Sequence, residues 1–208
     1  MDREARSVVR RGYDVAAASY LADRPDDGGD VALLRVLAAE LPPGAVVVDA
    51  GCGAGEPVAR VLTDLGHRVV GVDLSFGQLS LGRAVVPAMA PAQGDLTQLP
   101  VADRSADAVV SFYAIIHVPR DEHAQVLAEV ARVLRPGGRA LLCLGASDIP
   151  VDLDPVSWLG VPMFWSHFDG AANQALVADA GLVIDAAHHV ADPMAHAGHL
   201  FVAARRPS

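Results

Sequence analysis

The chain has 208 residues, 52% of them apolar and 5% aromatic, with a formal net charge of −9. That length and apolarity suffice for a sizeable core, while the acidic balance argues against nucleic acid and anionic membrane surfaces, which both ask for a basic face. All 16 basic residues are arginine, so no lysine is available as a general base, Schiff-base former or phosphate-loop ligand.

The opening stretch MDREARSVVRRGYD is charged and lacks the apolar centre of a signal peptide. No apolar run approaches the roughly 20 residues of a membrane span, so a soluble, cytoplasmic protein is expected. Two cysteines, Cys52 and Cys143, make no disulfide framework. A first helix is predicted over residues 4–21, with Val8, Val9 and Ala16 on one side. RPDDGGD (24–30) reads as a loop. VALLRVLAAEL (31–41) reads as a helix with Asp30 as its N-cap, stopped by PPG (42–44).

An alternation then begins. AVVVDA (45–50) is a buried-strand run and 56–65 a helix; RVVGVD (68–73) is a strand and 75–86 a helix. A short strand is expected within 88–95, then a strand over 106–114, a helix over 121–134 and a strand over 138–145. Strands alternating with helices indicate a doubly wound α/β sheet, parallel, with helices on both faces. Residues 146–167, with three prolines and two tryptophans, read as an irregular insertion. A helix over 170–180, stopped by Gly181, precedes two apolar runs, 182–190 and 199–206, that can pair as an antiparallel hairpin.

The turn DAGCGAGE (49–56) carries the chemistry. In such a sheet ligands bind beyond the C-terminal strand ends, where a helix start offers free N–H groups. Gly51, Gly53 and Gly55 allow backbone to approach a ligand without an intervening Cβ. A dinucleotide fingerprint would need Gly or Ala at position 56; Glu56 stands there and would repel a pyrophosphate. The absence of G-K-S/T excludes a Walker loop, so a cofactor without phosphates is preferred. Acids end three successive strands, Asp49, Asp73 and Asp95. Asp73 is placed to accept from ribose hydroxyls, and the ordered set suits a cationic adenosyl ligand.

DAGCGAG, GVDLS, GDLTQLP, DAVVSFYAIIHV and VLRPGG together resemble the class I S-adenosylmethionine-dependent methyltransferases, in particular the small-molecule branch, over roughly residues 10–206. The resemblance implies a Rossmann-like seven-stranded sheet in the order 3-2-1-4-5-7-6 with strand 7 antiparallel. It also implies one methyltransferase domain over 1–208, with an N-terminal helical cap (1–41) and a substrate-side insertion (146–167). Gly51 and Gly53 would lie against the methionine part of S-adenosylmethionine, Asp73 and Leu74 at the ribose, Asp95 and Leu96 at the adenine. Phe112 would lie near the amino end, and Tyr13 and Tyr20 would close over the cofactor. Asp49, Gln78 and His117 complete the expected cofactor set.

Methyl transfer asks chiefly for alignment, and for a base only when the acceptor is protonated at neutral pH. His117, after the fourth strand, and His167, in the aromatic insertion, are the candidate catalytic residues; His123 reads as an exposed helix residue and His67 as a turn residue. Trp158, Met163, Phe164, Trp165 and Phe168 would line an apolar acceptor pocket. No metal site is expected: His188 and His189 point to opposite faces of a strand, and neither they nor His196 and His199 have Cys or acid partners at zinc spacing. The expected reaction is transfer of a methyl group to oxygen or nitrogen of a small organic acceptor, such as a secondary-metabolite intermediate, leaving S-adenosylhomocysteine. The rivals are a non-methylating cyclase or ligand-sensing module of the same fold and, less favoured, a nicotinamide-dependent oxidoreductase. Monomer and homodimer both stay open.

Overall fold

A computed structural model describes residues 2–25, 27–192, 194 and 198–208, with the backbone alone at 2, 3 and 153–157. His196, with residues 193, 195 and 197 of the segment joining the last two apolar runs, lies outside the described residues. The elements in chain order are α1 (Asp2–Asp23), α2 (Gly29–Ala39), β1 (Val46–Ala50), α3 (Val58–Asp64), β2 (Arg68–Asp73), α4 (Phe76–Val85), β3 (Ala90–Gln93) and β4 (Ala106–Ser111). Then follow α5 (His123–Val133), β5 (Leu134–Gly145), β6 (Ile149–Trp158), β7 (Val161–His167), α6 (Gly170–Asp179), β8 (Val183–Ala191) and β9 (Gly198–Arg205).

Seven strands form one sheet in the order β3-β2-β1-β4-β5-β9-β8. Strands β1 to β5 run parallel, and β9 is antiparallel to both β5 and β8. This is the doubly wound, Rossmann-like arrangement that the alternation and the closing hairpin foretell. The central strands are predominantly apolar because both faces are covered. Val47, Ala108, Val110, Leu141 and Phe201 pack under α2, α3 and α4. Val48, Val109, Leu142 and Val202 pack under α5 and α6.

Three expectations change. Residues 149–167 are an ordered antiparallel hairpin, β6 against β7, separate from the main sheet. Prolines are tolerated in a two-stranded ribbon because each strand leaves one edge free of ladder bonds. A two-residue turn closes it, with Leu159 and Gly160 both at positive φ (48° and 74°). Gly12 lets this hairpin pack tightly on α1: a Cβ there would lie 2.7 Å from the Pro162 carbonyl oxygen. Second, His123 is buried rather than exposed, its ring donating to the Val118 carbonyl (3.0 Å) and packing on Phe168. Third, Gly28 is the N-cap of α2, and Asp30 lies inside its first turn.

Asp30 is instead half of a buried ion pair. Its carboxylate accepts from the Arg24 guanidinium, from the Tyr113 hydroxyl (3.1 Å) and from the Val31 N–H (2.9 Å). Both side chains of the pair are 2% exposed. The Arg24 guanidinium also sits 4.5 Å over the Tyr113 ring. Breaking such a pair strands a buried charge. Asp30→Ala is therefore expected to cost about 3–5 kcal/mol, read as a lower urea midpoint. The double variant Asp30→Leu/Arg24→Met should recover most of that loss. A single variant as stable as wild type would refute the account.

Candidate functional site

The glycine turn after β1 is built against two neighbours. The N–H groups of Gly51 and Cys52 donate to the Val72 carbonyl at the end of β2 (2.7 and 3.1 Å). Gly51 has φ +84°, and a Cβ on it would lie 2.1 Å from the Ala114 Cβ. Only glycine meets both demands, so the turn lies flush beneath the chain leaving β4.

This turn forms the floor of an open cleft with about 910 Å³ of space free of protein atoms, the solvent at its mouth included. Asp73, Leu74, Asp95 and Leu96 line it from the ends of β2 and β3; Phe112, Tyr113, Ala114 and His117 line it from the chain after β4. Helix α1 is its roof. Arg6, Val9, Tyr13 and Tyr20, spaced by three, four and seven residues, present one helix face to it, and Arg24 follows at the next turn. The structure thus brings Tyr13, Tyr20, Asp49, Gly51, Gly53, Asp73, Leu74, Asp95, Leu96, Phe112 and His117 to one cleft.

Polar ties hold the roof down near its N-terminal end and at its middle. Arg6 Nε donates to Asp95 Oδ2 (2.5 Å), and its other nitrogens reach Glu122 and Thr97. Asp14 accepts from the Ser75 hydroxyl (2.6 Å) and the Gly77 N–H (2.9 Å) at the start of α4. Tyr13 meets His117 at 3.0 Å. Trp158, at the hairpin tip, packs edge-on against Tyr13 (centroids 5.0 Å apart) and beside Tyr20 (5.8 Å).

The carboxylates differ in their partners. Asp73 accepts from the N–H groups of Gly53 and Ser75 (both 2.8 Å). Burial raises its pKa, and these bonds oppose the rise. Asp49 is buried, and its Oδ2 has no hydrogen-bond partner among the described residues. Burial, with Asp73 opposing a second negative charge, pushes Asp49 up to about 8. Burial would raise Asp95 too, but the Thr97 bonds and the Arg6 charge outweigh it and hold Asp95 below the usual carboxylate range.

His117 is oriented from both ring nitrogens. Nδ1 lies 2.7 Å from the Phe164 carbonyl, which can only accept, so Nδ1 carries the proton. Nε2 then accepts from the Tyr13 hydroxyl. Burial lowers His117 to about 4, so the ring is neutral at physiological pH.

Two expected site residues lie elsewhere. His167 does not line the cleft: Nδ1 donates to the Ser147 carbonyl (2.7 Å), and the ring fills the space over Gly145, where a Cβ would come within 2.0 Å of it. Gln78 is buried in α4 behind Gly53, outside the lining, with neither side-chain polar atom partnered among the described residues. Residues 158 and 163–168 likewise do not line the cleft; the hairpin braces α1 instead. Arg6, Arg24 and Tyr113 were not anticipated. For the two arginines a signal existed: both continue the helix-face spacing of Tyr13 and Tyr20. Tyr113 has φ +54°, a conformation invisible in residue pattern.

Residues 48–142 match the family model of a methyltransferase domain. The chain is 36% identical over 152 residues to methyltransferase GfsG of Streptomyces halstedii, covering 65% of this chain and 52% of that one. It spans about half or less of the length of the first curated relatives it matches. Among solved structures it resembles the 1,6-didemethyltoxoflavin-N1-methyltransferase of Burkholderia thailandensis, with a TM-score of 0.78, 22% identity, and coverage of 100% of this chain and 91% of that one. It also resembles the [4+2]-cyclase SpnF, with a TM-score of 0.73, 18% identity, and coverage of 95% and 94%. At those identities the two structures speak for the fold. Sheet order, glycine turn and matched segment agree in making this chain similar to the class I S-adenosylmethionine-dependent methyltransferases.

Proposed function

We propose that the cleft binds S-adenosylmethionine and directs its methyl group to an oxygen or nitrogen of a small organic acceptor. The observation that carries this reading is the order of groups along one cleft. A floor of backbone at Gly51 and Gly53 stands between Asp73 on one side and Phe112 and Tyr113 on the other, with Asp95 at the far end. The residues fit the cofactor. The turn admits no side chain at Gly51, which leaves room for a close ligand. Asp73 retains lone pairs for ribose hydroxyls beyond its two backbone donors. Asp95 keeps one acceptor position beside Arg6 and Thr97 for an adenine amine.

When bound, the cofactor supplies a methyl group already activated by a sulfonium. The chain's own contribution is alignment and exclusion of water. Helix α1 covers the cleft, and Tyr20, Phe112 and Tyr113 offer apolar surface to an acceptor. His117 is a poor base, neutral and committed through Nε2 to Tyr13. It positions Tyr13 in the roof. The acceptor this geometry suits is nucleophilic at neutral pH without deprotonation by the protein. No helix among the described residues is long and apolar enough to cross a membrane.

Calorimetry with S-adenosylhomocysteine tests the cofactor reading. A ligand concentration of 100 times Kd should stabilise the fold by about 2.7 kcal/mol, and no thermal shift at millimolar ligand would sink it. Asp73→Ala should weaken binding by roughly 2–4 kcal/mol, from the loss of two charge-assisted bonds partly compensated by water, with the circular dichroism spectrum retained. Release of S-adenosylhomocysteine in the presence of small hydroxyl and amine acceptors would separate methyl transfer from mere cofactor binding. Because His117 stays neutral down to about pH 4, the turnover profile between pH 6 and 8 should be the same in wild type and His117→Asn. An acid limb near pH 6.5 that disappears in the variant would instead make His117 the base.

A further inference from the structure

Two carboxylates of the cleft belong to one electrostatic unit. Asp49 and Asp73 end neighbouring parallel strands, Asp49 standing opposite Gly71 and Asp73 two residues further on. Side-chain alternation puts both on the same face of the sheet. Their environments are unequal. Asp73 has two backbone N–H donors at 2.8 Å, whereas Asp49 Oδ2 is buried and unpartnered among the described residues. One negative charge in this pair therefore resides on Asp73, where donors meet it, and the proton stays on Asp49.

Of the other titratable groups nearby, Glu56 is paired with Arg60 and Asp95 with Arg6, Tyr13 is a phenol whose pKa burial raises, and Asp14, whose charge opposes ionisation of Asp73, is met by the Ser75 hydroxyl and the Gly77 N–H. Arg24, at the α1 end of the cleft, has its charge committed to Asp30. Cys52, on the turn, is a thiol held protonated by burial, with Asp49 and Asp73 adding to the effect. Tyr20, on α1, and Tyr113, after β4, are phenols whose pKa values burial raises further. His117 is neutral. No described cation is left over to pair with an ionised Asp49 in the ligand-free protein.

We propose that Asp49 is a neutral carboxylic acid in the ligand-free protein and gives up its proton when a cationic ligand enters, so that this residue selects the sulfonium cofactor over its uncharged thioether product. This deepens the cofactor reading above and rests on it. The O–H bond of Asp49 breaks, its electron pair stays as carboxylate facing the cleft, and the proton passes to buffer. Methyl transfer removes the sulfonium charge. Asp49 then takes a proton back, and the product loses the attraction that held the substrate form. Charge is in this way converted into a preference for substrate over product without any change of shape.

The test is titration calorimetry with S-adenosylmethionine and S-adenosylhomocysteine in phosphate and in Tris, whose ionisation enthalpies differ. At about pH 6.5 the ligands' own α-amino groups remain protonated. The difference in observed heat between the buffers counts the protons released. Wild type should release close to one proton with S-adenosylmethionine and clearly fewer with S-adenosylhomocysteine. Asp49→Asn should release none and lose at least threefold of the preference between the two ligands. A second readout needs no ligand. The raised pKa of Asp49 in the fold means that stability present at low pH is lost as pH rises through about 8. Asp49→Asn should therefore melt above wild type at pH 8, with the gap closing toward pH 5. Binding by wild type with no buffer dependence would overturn the proposal while leaving the cofactor reading intact. Absence of binding by either ligand would overturn both.

Discussion

The close seating of the glycine turn against the chain leaving β4 is the constraint on which the site depends. No Cβ fits at Gly51 because Ala114 occupies that space, and the turn's N–H groups are fastened to the Val72 carbonyl. Three strands are thereby locked at their C-terminal ends. The carboxylates at two of these ends, Asp49 and Asp73, fall beside the turn, and Phe112 and Tyr113 fall opposite. A floor made of backbone leaves the walls free to carry the chemistry, and the helices on both faces of the sheet keep it rigid.

Helix α1 supplies what the sheet cannot. Its ties are of three kinds: an ion-pair cluster at Arg6, a carboxylate cap from Asp14 onto α4, and the Tyr13–His117 hydrogen bond. The hairpin β6–β7 braces it from outside through Trp158 and the close approach at Gly12. Arg6 and Asp95 illustrate a shared duty, since a carboxylate that lines the cleft also anchors the roof.

The same economy applies to charge. The described cations near the cleft are already spent, Arg6 on Asp95 and Glu122, and Arg24 on Asp30. The carboxylates of the cleft are thus distinguished by their partners, two backbone donors on Asp73 and an unpartnered oxygen on Asp49 among the described residues. His117 follows the opposite course. A histidine at a strand end looks like a base until its two ring nitrogens are traced to Phe164 and Tyr13. After that it is a rigid spacer between hairpin and roof.

Local chemistry alone decided much of this protein. Apolar runs alternating with helical segments specified a parallel sheet covered on both faces, since only that arrangement buries such strands. Three glycines at alternate positions, followed by acids at successive strand ends, located the cleft, because positive φ and a carboxylate at a strand terminus are properties of single residues. Tertiary structure decided the rest. Prolines in 149–167 concealed a hairpin, since a free strand edge tolerates them only once the ribbon exists. His167 bonds to the Ser147 carbonyl outside the cleft lining, and His123 is buried against the Val118 carbonyl, contacts between segments that no residue pattern records. Arg24 and Asp30 became a buried pair through the fold of the loop between α1 and α2. Which carboxylate keeps its proton depended on donors that reach Asp73 and miss Asp49, and hydrogen bonds between segments distant in sequence exist only in three dimensions.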